Sequence, residues 1–96
     1  MINAKDSKNT FYILNNKENT PVVLIHGVGL NHKIWEPQIN SFSNTVLAYD
    51  ILGHGNTPLT KSQISFDDFS LQLLNLIDEL KFEKMHLVGF SIGSLI

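Results

Sequence analysis

The sequence predicts an α/β fold, a mostly parallel sheet with crossover helices, and three observations carry that prediction. Apolar runs without alternation recur at residues 22–25, 45–49 and 85–88, as expected of strands covered on both faces. Segments with helical spacing separate these runs. All six glycines fall in three pairs, Gly27 with Gly29, Gly53 with Gly55 and Gly89 with Gly93, each pair just past the C-terminal end of one run. Ligands of such sheets sit beyond the carboxyl ends of the strands, so this glycine-rich rim is the expected site.

Residues 1–10 are polar, with no apolar stretch behind them that would read as a secretory signal. A short β-prone run at 11–14 leads into turn chemistry at 15–20, marked by Asn15, Asn16 and Asn19. The first buried strand, 21–26, is entered by Pro21. Residues 34–42 form a short helical segment with Ile34, Trp35, Ile39 and Phe42 as its apolar members, which places Pro37 in the first turn. A second buried strand at 45–49 and a loop of glycine, proline and threonine at 50–61 follow.

Ser65 precedes Phe66 with Asp67 and Asp68 in the next turn, the pattern of a helix start. Phe66, Phe69, Leu73, Leu76 and Leu80 then form an apolar stripe, with Asp67, Gln72, Asn75 and Glu79 read as lying mostly off it. Residues 85–88 are expected to be a third buried strand, 89–93 a turn, and Ser94, Leu95 and Ile96 the start of another helix.

Composition narrows the function. Ninety-six residues, 43% of them apolar, make one small globular domain at most. Seven lysines against nine carboxylates, with no arginine, give a net charge of -2, and without a basic run nucleic acid is not an expected partner. The absence of cysteine excludes disulfides, thiolate metal sites and a cysteine nucleophile, and fits a cytoplasmic location. No apolar run approaches the roughly 20 residues of a membrane span, so no membrane partner is expected.

The third glycine pair is the most informative. Gly89-Phe90-Ser91-Ile92-Gly93 matches G-x-S-x-G directly after a strand, the setting in which a strained strand-to-helix turn lifts a nucleophilic serine clear of the sheet. The plainer alternative for Ser91 is a helix N-cap after a glycine turn; the strand before it and two further motifs favour catalysis. Ile92 at the helix start would offer an unpaired backbone N–H to a developing oxyanion. A second donor is needed from a neighbouring strand-to-helix loop, and the N–H of Val28 in His26-Gly27-Val28-Gly29 is the candidate.

His26 ends a buried strand and is read as structural, hydrogen-bonded within its loop, rather than as the base. Asp50 and His54 are read as loop scaffolding. His32, in a loop near Trp35, and His86, within a strand, have no second ligand at metal spacing, so no metal site is assigned.

His26 through Gly29, then Trp35, then Asp50 through Gly55, then Gly89 through Gly93 resemble, in that order, the α/β-hydrolase family. The resemblance runs from about Thr20 to the end. Within the family the chain is similar to small esterases, enol-lactonases and carbon-carbon bond hydrolases. It implies that residues 1–96 are the N-terminal part of a single α/β-hydrolase domain, cut just after the nucleophile elbow. It further implies Ser91 as nucleophile and Val28 and Ile92 as oxyanion donors, with the acid and histidine of the triad supplied later in the chain. The substrate would be a small-molecule ester, lactone or thioester, and no cofactor is required. The 96 residues alone are expected to lack turnover and to fold poorly.

Serine at position 91 disfavours the dehalogenase and epoxide-hydrolase branches, which use aspartate there. Ser94 stands where relatives usually have glycine or alanine, and Lys81 where a helix-ending glycine is common. At such a C′ position Lys81 must adopt a left-handed conformation unless the helix ends differently.

Two other readings fit parts of the sequence. Gly27-Val28-Gly29 after a strand, with Asp50 ending the next strand, resembles a Rossmann dinucleotide site, but His32 occupies the third glycine position and the serine elbow is left unexplained. A ligand sensor or interaction protein could also keep the hydrolase fold without turnover.

Overall fold

The computed structural model describes residues 1–59, 63–90 and 96. Strands β1 (Ile2–Lys5), β2 (Phe11–Asn15) and β3 (Val22–Ile25) come first, followed by a 3-10 turn (His32–Trp35) that runs into helix α1 (Glu36–Ile39). Strand β4 (Val46–Tyr49), helix α2 (Phe66–Glu79) and strand β5 (His86–Gly89) complete the order.

The five strands form one sheet in the order β1-β2-β4-β3-β5. β3 pairs in parallel with both β4 and β5, whereas β2 is antiparallel to β4 and to β1. Only β2 therefore runs against the others. Among the described residues no helix is long and apolar enough to cross a membrane.

Side chains alternate across the sheet, so β3 and β4 feed two cores. Val23, Ile25, Leu47 and Tyr49 join Phe69, Leu73 and Leu76 of α2 on one face. Val22, Leu24, Val46 and Ala48 join Ile39 of α1 on the other. Every residue of β3 and β4 is buried, which explains why these two runs show no alternation. The Tyr49 hydroxyl is buried without a hydrogen-bond partner among the described residues, and burial pushes its pKa up.

Four expectations change. β5 is exposed along its length, with Leu87 55% accessible, because among the described strands it pairs with β3 alone. Its apolar composition reported a strand but not the burial expected of it. Residues 2–5, assigned no element from sequence, pair with β2 as a hairpin whose turn is closed by Asp6: its Oδ1 accepts from the N–H groups of Lys8 and Thr10 at 2.9 Å each. The segment expected at 34–42 is split. Asn31 caps a 3-10 turn by accepting from Lys33 N–H at 2.8 Å, Pro37 opens the short α1, and Phe42 packs on the core from beyond the helix end.

The fourth change lies on α2, where Phe66 is 52% exposed and Gln72 is buried. Gln72 is three residues after Phe69 and four before Leu76, so by spacing it belongs to the stripe. Its Nε2 donates to Asp50 O at 3.0 Å and Thr10 Oγ1 at 3.1 Å, while its Oε1 accepts from Leu52 N–H at 3.1 Å. The amide thus satisfies burial and ties the helix to the segment after β4.

The helix starts as its sequence requires. Ser65 Oγ accepts from Asp68 N–H at 3.4 Å, and Asp68 Oδ2 accepts from Ser65 N–H at 2.9 Å, a reciprocal capping box. It ends in a Schellman turn: Lys81 N–H donates to Asp78 O at 3.1 Å and Phe82 N–H to Ile77 O at 3.0 Å, with Lys81 at φ 61°. A lysine there carries left-handed strain of about 1–2 kcal/mol, against the roughly 0.5–1 kcal/mol of extra chain entropy that a glycine loses on folding. Lys81→Gly should accordingly raise the stability of the intact protein by roughly 0.5–1 kcal/mol in urea unfolding. An unchanged or lower midpoint would show that the strain is relieved in some other way.

Candidate active site

The three parallel strands end at one level. Ile25 is in register with Tyr49 on one side and Gly89 on the other, and Phe90 N–H donates to Ile25 O at 3.0 Å, extending the ladder one residue past β5. The segments that follow, beginning at His26, Asp50 and Phe90, leave the sheet side by side. Ser91, Ile92 and Gly93 come next in the third segment, and the expected elbow and following helix start lie outside the described residues.

In the first segment the chain turns at once. Leu30 N–H donates to Gly27 O at 3.1 Å, and Gly29 has φ 81°, the sign that the third position of a type II turn requires. Val28 sits at the tip, 60% exposed, and among the described residues its N–H is in no hydrogen bond. The other central amide is occupied: Gly29 N–H donates to His54 Nε2 at 3.0 Å. Of the two central amides of the turn, that of Val28 is therefore the one without a hydrogen-bond partner among the described residues.

Beneath this turn His26 is fully buried. Ile51 N–H donates to its Nε2 at 3.0 Å, so the proton is assigned to Nδ1, which donates to Gly27 O at 2.8 Å. Both nitrogens are used. Burial holds the His26 pKa below its usual value, outweighing the Gly27 carbonyl and the Asp50 carboxylate, which favour the charged form.

Asp50, also fully buried, gathers three donors. Its Oδ1 accepts from His32 N–H at 2.7 Å and His32 Nδ1 at 2.8 Å, and its Oδ2 from Asn56 N–H at 2.9 Å. Gly55, at φ 51°, lies so close that a Cβ there would collide with this carboxylate. Both its conformation and the missing side chain are therefore needed.

His26, Asp50 and His54 are scaffolding, as expected, and the scaffold runs both within each loop and between the two. His32 departs from expectation. Read as an unremarkable loop residue, it is buried and is the main partner of Asp50. Sequence spacing held no sign of this, because the pair is 18 residues apart. Gln72 is expected off the stripe, although its helical spacing was a signal that could have found it. The Rossmann alternative fails here: a ribose-binding carboxylate must be open to ligand, whereas Asp50 is sealed and occupied. Among the described residues, no three histidine or acidic side chains are placed to hold a metal ion.

The buried His26 ring has a consequence for stability. Its folded pKa lies below the ordinary 6.5, so on acidification the unfolded chain takes up a proton that the folded one refuses. The contribution of neutral His26 is fully present above pH 6.5, falls as pH drops from 6.5 toward the folded value, and levels off below that. Thermal melts from about one pH unit above 6.5 down through that window should show a steeper acid loss in wild type than in His26→Gln. Equal slopes would refute the assignment.

A family model described as the alpha/beta hydrolase fold matches residues 20–96. The (E)-2-((N-methylformamido)methylene)succinate hydrolase of Acinetobacter baylyi is 38% identical over 81 residues, covering 82% of this chain and 31% of that protein. The 3-oxoadipate enol-lactonase 1 of the same organism is 30% identical over 98 residues, covering 99% of this chain and 36% of the other. Among solved structures, the enol-lactonase from Burkholderia xenovorans superposes with a TM-score of 0.88 at 26% identity, over 98% of this chain and 38% of that one. The bromoperoxidase from Bacillus anthracis does so with a TM-score of 0.88 at 31% identity, over 97% and 36%. This chain spans about a third of the length of these relatives. With glycine turns after β3 and β4 on one rim and the family pattern running from residue 20 onward, the chain belongs to the α/β-hydrolase family.

Proposed function

We propose that the intact protein is a serine hydrolase that opens a small-molecule ester, lactone or thioester through an acyl-enzyme on Ser91. The observation that carries this reading is the Val28 N–H, without a hydrogen-bond partner among the described residues, at the tip of a held turn on the sheet edge where β5 ends. In the proposed reaction Ser91 Oγ adds to the substrate carbonyl as a histidine takes its proton. The carbonyl oxygen, now negative, is met by the N–H groups of Val28 and Ile92. Collapse expels the alcohol or thiol, which takes the proton from the histidine. Water then releases the acid by the same route.

The histidine is assigned to sequence beyond residue 96, together with the acid that orients it. Both ring nitrogens of His26 and of His54 are in hydrogen bonds, and His32 is buried against Asp50. His86 opens β5 three residues from Gly89, about 10 Å from the catalytic edge. None of the four is therefore assigned as the base. Relatives named as a succinate-derivative hydrolase and an enol-lactonase support hydrolysis at a carbonyl. The cysteine-free composition supports action in the cytoplasm.

Ser91→Ala in the intact protein should lower p-nitrophenyl acetate hydrolysis by about 10³-fold or more, since the alcohol nucleophile is lost while binding remains. A fluorophosphonate probe should label wild type and not the variant. Hydrolysis within a few-fold of wild type would remove Ser91 from the mechanism, and a wild-type protein showing neither labelling nor turnover would point to a non-catalytic protein on the same fold.

A further inference from the structure

We propose that His54 is a positioning residue for the oxyanion hole, holding the Val28–Gly29 peptide through the hydrogen bond from Gly29 N–H to its Nε2. This rests on the reading of Ser91 and Val28 given under the proposed function. A turn centred on Val28 and Gly29 has two restraints: the Leu30 to Gly27 hydrogen bond at 3.1 Å and the Gly29 to His54 bond at 3.0 Å. Gly29 itself supplies none. Glycine accepts either sign of φ and has no side chain to pack, so Gly29 does not itself hold the central peptide plane. Without the second bond, that plane is free to rotate between the two common turn types and to change ψ at Val28. The donor N–H of Val28 belongs to the preceding Gly27–Val28 peptide, which is joined to that plane at the Val28 Cα, so it would lose an anchored neighbour and be held less firmly for the oxyanion.

His54 is built for this task. Its Nδ1 is 3.0 Å from Leu52 O and donates to it, which leaves Nε2 as the bare acceptor. Its backbone is fixed by His54 N–H to Ile51 O at 3.0 Å and by Thr57 N–H to His54 O at 2.9 Å. The ring rests against His26, centroids 5.3 Å apart, and His26 in turn lies 3.9 Å from the Asp50 carboxylate. The two loops thereby exchange straps, since His26 from the first accepts from Ile51 in the second, and His54 from the second accepts from Gly29 in the first.

The test compares His54→Leu, which removes the acceptor, with His54→Gln, whose amide oxygen restores one at similar reach. Hydrolysis of p-nitrophenyl acetate by the intact protein is measured, with exchange of the Gly29 amide proton alongside. The Leu variant should lose about tenfold in kcat with KM within about twofold, because the oxyanion exists only in the transition state and its donor is loosened, not deleted. Its Gly29 amide should exchange faster. The Gln variant should recover both to within about threefold. If the Leu variant is unstable, His54→Met replaces it with the same expectation. Wild-type kcat in the apolar variants, or equal losses in the apolar and Gln variants, overturns the proposal. Failure of the parent reading appears separately, as full activity in Ser91→Ala.

Discussion

The Asp50 carboxylate is the joint on which the rim depends. A sealed carboxylate without donors costs several kcal/mol, so its three hydrogen bonds are obligatory and each one places a piece of chain. His32 brings the loop after β3 against the end of β4. Asn56 folds the loop after β4 back on itself, and Gly55 is the residue type that this return path admits. Gln72 secures the same segment from the helix side through Asp50 O and Leu52 N–H. Thus two loops from adjacent parallel strands are locked together beneath the Val28 turn. Rigid support of this kind is what a hydrogen-bond donor needs if it is to meet a charge that exists only in the transition state.

Neutral histidines suit this framework. His26 and His54 each use one nitrogen as donor to a carbonyl and the other as acceptor from an amide. Only the uncharged imidazole can do both. For His26, burial strengthens the arrangement by disfavouring protonation. A chain with three histidines and an aspartate in one cluster invites reading as a catalytic or metal centre. Their partners show instead a hydrogen-bonded brace.

What the sequence revealed, and what it hid, follows from the range of the interactions. β3, β4 and α2 were legible because burial on both faces, or on one helical stripe, writes itself into consecutive residues. The strain at Lys81 was legible because a helix end has local rules. β5 was legible as a strand, but exposure depends on neighbours that its own residues do not encode. The N-terminal hairpin escaped notice because Ile2–Lys5 is short and mixed in polarity, and its pairing is set by the Asp6 turn. On the rim, the turn at Val28 was legible from its flanking glycines, whereas the His32 to Asp50 and His54 to Gly29 contacts join residues 18 and 25 apart. No local pattern reports such pairs.

The central claim is that this brace presents Val28, together with Ile92, to an oxyanion formed at Ser91. A crystal structure of the intact protein after reaction with a p-nitrophenyl phosphonate tests it most directly. The account predicts phosphorus bonded to Ser91 Oγ and the phosphonyl oxygen about 3 Å from the backbone nitrogens of Val28 and Ile92, with Gly29 N–H still on His54 Nε2. A phosphonyl oxygen directed away from Val28, or an adduct on another residue, would contradict it.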